Sequence, residues 1–120
     1  MEEYTDTTYY NKIEILSTYK KISDLLSKMI IEIKPSTRKN KKYVAIFKNG
    51  KKVHFGQLGS NTYLDHKDKN KREAYRKRHA KDLDTNDPYR AGYLSYELLW
   101  GDDTNLKDAI KRYNTKFFSA

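Results

Sequence analysis

The sequence predicts an α+β fold: an N-terminal helix, a small antiparallel sheet with an Asn-Gly hairpin, then three C-terminal helices. Three observations predict it. Apolar residues recur at three- and four-residue steps between Ile13 and Met29, two β-rich runs flank Asn49-Gly50, and helix starts and stops punctuate the chain after Asp68. A length of 120 residues suits one domain. Residues 1–10 are polar and are expected to form a flexible N-terminus, leaving 11–120 as a single compact α+β domain.

Taken in order, Asn11 is a helix cap, and Ile13, Leu16, Tyr19, Ile22, Leu25, Leu26 and Met29 form one apolar stripe over about 17 residues. Ile30 to Lys34 alternates as a strand until Pro35 ends it, and residues 36–42 form a basic loop. Lys42 to Lys48 and Lys51 to Gly56 then read as a hairpin. Asn49-Gly50 predicts a type I′ turn, because both residues tolerate positive φ. Residues 60–67 are a polar connection. Asp68 caps a helix over 69–81, and an acidic turn follows at 82–88. Asp87-Pro88 opens a central helix carrying Tyr93, Leu94, Tyr96, Leu98, Leu99 and Trp100, which Gly101 stops. Asp103 caps the last helix, whose buried face is Leu106, Ala109, Ile110, Tyr113 and Phe117.

Charge is the most informative global property. The chain holds 25 Lys and Arg against 16 Asp and Glu, a formal +9. Residues 1–33 carry 4 basic and 6 acidic groups (−2), residues 34–81 carry 16 and 3 (+13), and residues 82–120 carry 5 and 7 (−2). A concentrated field of one sign attracts a polyanion. The candidate phosphate contacts are Arg38, Lys39, Lys41, Lys42, Lys48, Lys51 and Lys52 around the hairpin, with Lys69, Lys71, Arg72, Arg76, Lys77, Arg78 and Lys81 on the helix. Of the rings beside them, Tyr43, Phe47, Phe55 and Tyr75 suit packing. Tyr63, in the connection, is the candidate for contact with a ligand.

Other chemistries find little support. There is no Cys, so disulfides, thiolate catalysis and cysteine zinc sites are excluded. Asp65, His66 and His79 are weak metal candidates, because only 12 residues separate the two histidines and most of those read as helix. No phosphate-cradling glycine motif and no Ser-His-acid arrangement is present, so neither a cofactor nor a catalytic residue is expected. The longest apolar run, Met29 to Ile31, is far too short for a membrane span, and no secretory leader is recognisable, so an intracellular protein is expected.

The stretch from Lys42 to Phe117 resembles an uncharacterised family of small basic proteins of large nucleocytoplasmic DNA viruses. The resemblance rests on Tyr43-Val-Ala-Ile-Phe, Asn49-Gly50, Lys51-Lys-Val-His-Phe-Gly56, Tyr63-Leu-Asp-His66, Tyr75-Arg-Lys-Arg-His79, Asp87-Pro88, Ala91-Gly-Tyr-Leu-Ser95 and Leu98-Leu-Trp-Gly101. It implies a viral setting, in host cytoplasm, nucleus or virion, but no known activity. If His54, Asp65, His66, Arg78 and His79 are the family's shared polar positions, it also implies a compact site near the helix start. The leading expectation is therefore a non-catalytic, largely sequence-independent protein that binds the DNA or RNA backbone. The alternatives are a virion structural or adaptor protein docking on an acidic or capsid protein and, third, a metal-dependent nuclease.

Overall fold

The computed structural model describes residues 2–119, with side chains for residues 12–116. Helix α1 (Glu2–Ser27) leads into strands β1 (Ile30–Pro35), β2 (Lys41–Phe47) and β3 (Lys52–Gln57). A one-turn helix α2 (Tyr63–His66) and the basic helix α3 (Lys69–His79) follow, the latter passing into a 3-10 turn at Ala80–Thr85. Helix α4 (Ala91–Leu94) runs straight into a π-helical turn, Ser95–Leu99, and α5 (Leu106–Ser119) closes the chain. The α+β class and the order of elements are those the sequence predicts.

The sheet is antiparallel in the order β1-β2-β3, with Ile33 opposite Ala45 and Tyr43 opposite Phe55. That register puts Tyr43, Ala45, Phe47, Val53 and Phe55 on one face. Ala45, Phe47 and Phe55 are fully buried there with Leu94, Leu98, Leu99 and Tyr113. The core is thus one sheet face closed by the α4 segment and α5, as the two-layer rule requires. Asn114 ties the layers together. Its amide accepts from Ile30 N–H and donates to Ile30 C=O, both at 2.9 Å, and so satisfies the first residue of β1 from a distant helix.

Several local details differ from expectation. The hairpin pairs as predicted, but its turn is not type I′. Only Gly50 has positive φ (+87°); Asn49 does not. Gly50 N–H bonds to Phe47 C=O at 2.8 Å and Phe47 N–H to Lys51 C=O at 2.9 Å, which makes a type I turn followed by a left-handed glycine. Asn49 instead accepts Lys51 N–H through its side chain at 2.9 Å, so one residue more than expected is spent in the loop.

Asp87 does not start the central helix. Its carboxylate accepts Tyr89 N–H at 2.9 Å, forming a local turn, and α4 begins only at Ala91. Nor does Asp103 cap α5. Asn105 does, accepting Asp108 N–H at 2.9 Å, while Asp103 is drawn away to the Arg112 guanidinium. The polar connection holds α2, framed by a capping box in which Asp65 accepts Thr62 N–H at 2.7 Å.

The largest difference lies in α1. The helix reaches back to Glu2, and the described residues of its apolar stripe are not buried: Ile15, Leu16 and Tyr19 are 65%, 66% and 71% exposed. Among the described residues its last turn is the partly covered part, beside α5. The molecule therefore measures 68 Å along one axis and 29 and 23 Å along the others.

Candidate nucleic-acid interface

Helix α3 owes its position to its own sequence at one end and to distant partners along its length. Asp68 accepts Asn70 and Lys71 N–H groups at 2.9 and 3.2 Å, fixing the start. The last turn, Arg76 to His79, places positive charge where the helix dipole favours it. Tyr75 then stacks on Trp100 with ring centres 4.2 Å apart and planes 6° apart, and His79 stacks on Tyr75 at 4.1 Å. Burial, helped by the Asp82 carboxylate and opposed by Arg78, pushes the Tyr75 phenol up to about 12. This ring stays neutral at physiological pH and keeps its packing role.

The stack lines one wall of a trough of about 660 Å³. Tyr75, Arg78 and His79 line the trough from α3, and Asn40, Lys41 and Gln57 line it from the end of the sheet. Ala91, Gly92, Ser95, Leu99 and Trp100 make the floor. A second cleft of about 780 Å³ shares Ala91 and Gly92 with it and is lined by Lys51, Lys81 and Arg90 together with Asp82 and Asp87, of which Asp87 pairs with Arg90 at 3.6 Å. Gly92 leaves room for the Asp82 side chain, since a Cβ there would lie 3.0 Å from its carboxyl carbon. The sheet and the end of α3 thus both contribute cations to clefts that border the α4 segment.

Not every predicted contact belongs to this surface. Lys42 donates to Asp65 at 3.0 Å and to Ser60 C=O at 2.8 Å. Arg72 bridges Asp102 at 2.8 Å and Glu73 at 3.0 Å, and Arg76 donates to Trp100 C=O at 3.1 Å. These three fasten elements together. Lys77 faces away from the trough, beside Ala74 and Tyr96. Arg38, Lys39, Lys48, Lys52, Lys69 and Lys71 are exposed, and Lys41, Lys51, Arg78 and Lys81 line the two clefts; none of these ten has an ion-pair partner among the described residues. Lys51 does lie 4.3 Å over the Tyr89 ring.

Tyr63, the ring expected to contact a ligand, is only 3% exposed. The Arg72 guanidinium lies 5.0 Å over it, so it serves the α2–α3 packing and offers no face for stacking.

The three weak metal candidates do not converge. Asp65 is the capping residue paired with Lys42, and its pKa is lowered chiefly by Thr62 N–H, against the effect of burial and with help from Lys42. His66 Nδ1 accepts Asp68 N–H at 2.9 Å, which leaves the proton on Nε2, buried against Trp100. His79 Nδ1 meets Asp82 at 3.1 Å. Among the described residues no group of three or more His, Asp or Glu is placed to hold a metal ion. His54 sits apart on β3, 2.7 Å from Ser36 Oγ. Desolvation, then the fields of Arg38, Lys41 and Lys52, hold its pKa below the ordinary imidazole value.

A buried charge network was not visible in the sequence. Glu97, 6% exposed in the π-helical turn, takes Arg112 at 3.3 Å and Lys116 at 2.8 Å, while Arg112 Nε reaches Asp103 at 2.6 Å. It braces the trough floor from behind. Glu97 and its partners lie 15 and 19 residues apart, so only the folded chain brings them together.

The comparisons with known proteins bear on this surface. Residues 31–79 match a family of unknown function, DUF5754. The matched stretch runs from β1 to the last residue of α3, so it holds the trough's lining from the sheet and α3 but not its floor. It also nearly coincides with the +13 segment. No curated protein and no solved structure matches the chain. No helix among the described residues is long and apolar enough to cross a membrane.

Proposed function

We propose that this protein binds nucleic acid without catalysis and with little base specificity, and that the strand lies along the two clefts beside α4. One observation carries this reading: Lys41 and Arg78 line one trough and Lys51 and Lys81 line the cleft beside it, none of the four with an ion-pair partner among the described residues. Cations gathered from the sheet and from α3 about adjoining clefts suit a phosphate backbone. In the Trp100–Tyr75–His79 column both faces of Tyr75 are covered, so the column braces α3 and backbone contacts carry the binding. A setting in a large DNA virus, carried by the sequence resemblance, belongs to the same proposal.

Fluorescent single- and double-stranded oligonucleotides titrated at several salt concentrations test it. Four cations on a single strand give a slope of log K against log salt of about −2.8. Replacing Lys41 and Arg78 by Ala brings that slope to about −1.4, because two phosphate contacts are lost. Absence of binding at low salt overturns the reading and leaves the basic face to an acidic protein partner.

A further inference from the structure

One face of the sheet builds the core; the other carries cations that no ion pair uses. Strand alternation sends Ile33, Ala45, Val53 and Phe55 inward and Lys34, Val44, Lys52 and His54 outward. Lys34 and His54 flank Val44 in one row across the sheet, and Lys52 comes two residues before His54 on β3. Helices α4 and α5 close the opposite face, while Lys34 and Lys52 are exposed. The loop between β1 and β2 joins this row. Ser36 Oγ accepts Arg38 N–H at 3.0 Å and lies 2.7 Å from His54 Nδ1, which ties the start of the loop, with its exposed Arg38, to β3.

We propose that this outer face of the sheet binds a second nucleic-acid strand through its phosphates, so that one chain bridges two strands. The sign of the charge selects the partner. The charges that act on His54 are Arg38, Lys41 and Lys52, all positive. None of Lys34, Arg38 and Lys52 has an ion-pair partner among the described residues. Glu32, the acidic residue that the register puts on this face, is separated from Lys52 by Ile46. Cations gathered without counter-charge repel one another, and a line of phosphates removes that repulsion.

Two strands, rather than one, follow from the placing of the surfaces. The clefts lined by Lys41, Arg78, Lys51 and Lys81 border α4, which packs on the core side of the sheet. Lys34 and Lys52 project from the other side, so the sheet stands between the two surfaces. Lys42, next to Lys41 and against Gly56, is spent on Asp65 and Ser60 C=O and adds no free cation between them. This inference rests on the nucleic-acid binding proposed above and adds a second surface to it.

Short single strands, half with a donor dye and half with an acceptor, mixed with the full chain at low salt test it. With strand in excess, sedimentation equilibrium is expected to find two strands on each chain. Energy transfer between the dyes is expected to appear and to vanish as salt rises. The Lys34→Ala/Arg38→Ala/Lys52→Ala variant is expected to hold one strand, with an unchanged salt slope of about −2.8, and to give no energy transfer. All three side chains are exposed, and urea unfolding checks that the variant is folded. Lys41→Ala/Arg78→Ala is expected to weaken the first strand and leave the second. One strand per chain at every excess overturns the proposal and leaves the clefts in place. So do two strands indifferent to the triple variant, or a single strand whose slope that variant makes shallower, the sign of one strand running over both surfaces. Absence of binding to any strand overturns the nucleic-acid reading itself, and this proposal with it.

Discussion

Gly101→Ala gives opposite answers depending on whether the local backbone or the tertiary surroundings decide. Gly101 has no positive φ, so the backbone alone accepts Ala. A Gly→Ala change at such a site stabilises a protein by about 0.4–1 kcal/mol, through the unfolded chain's lost freedom. The structure predicts the reverse. A Cβ at residue 101 would lie 2.7 Å from the Glu97 carbonyl oxygen and collide with Arg112 Nη2. That nitrogen donates to the same carbonyl, while Nε is held by Asp103 and Nη1 by Glu97. Burial by itself lowers the Arg112 pKa, but hydrogen bonds and charge from Asp103 and Glu97 outweigh it and raise the net value, so the guanidinium stays charged.

Losing one hydrogen bond to a charged group costs about 1.5–3 kcal/mol. Less the unfolded-state gain, the net loss is about 1–2 kcal/mol. Urea unfolding followed by the fluorescence of the single Trp100 should show a midpoint lower by about 1 M at unchanged slope. In an Arg112→Ala background the same change should cost less, because one of the two colliding groups has gone. A Gly101→Ala protein as stable as the parent, or more stable, would refute the claim that this network clamps the trough floor.

Two further predictions follow from the hairpin. Gly50→Ala should destabilise by about 1–2 kcal/mol although nothing crowds the site, since φ of +87° burdens any L side chain; Gly50→Asn should cost less, as chemical denaturation of both variants will show. His54 titrates low in the folded protein, so stability is fully present above the unfolded imidazole pKa and is lost as the pH falls through the lower folded value. A polyanion bound along the clefts neutralises Lys41, one of the three cations whose fields act on His54. The His54 pKa, followed by its ring proton resonances, should therefore rise on binding, and an unchanged value would place the phosphates elsewhere.

What the sequence by itself determined lies within a few residues along the chain. Asp68 bonds amides two and three residues on, so the start of α3 was legible. The pairing of β2 with β3 follows from two β-rich runs about a short turn, and the concentration of charge in residues 34–81 requires no folding at all. The turn type escaped because Asn49 had two local uses, positive φ or a side-chain bond to Lys51, and only the paired strands choose between them.

Tertiary structure decided the rest. It turned Arg72 and Arg76 from presumed phosphate contacts into fasteners, because Asp102 and the Trp100 carbonyl arrive from 30 and 24 residues away. It buried Tyr63 beneath Arg72, set Glu97 against Arg112 and Lys116, and brought Lys41 and Arg78 to one trough. It also left the α1 stripe exposed, which periodicity cannot foresee: an amphipathic pattern shows that a face has to be covered, whereas the shape of the assembled core decides whether the chain itself covers it.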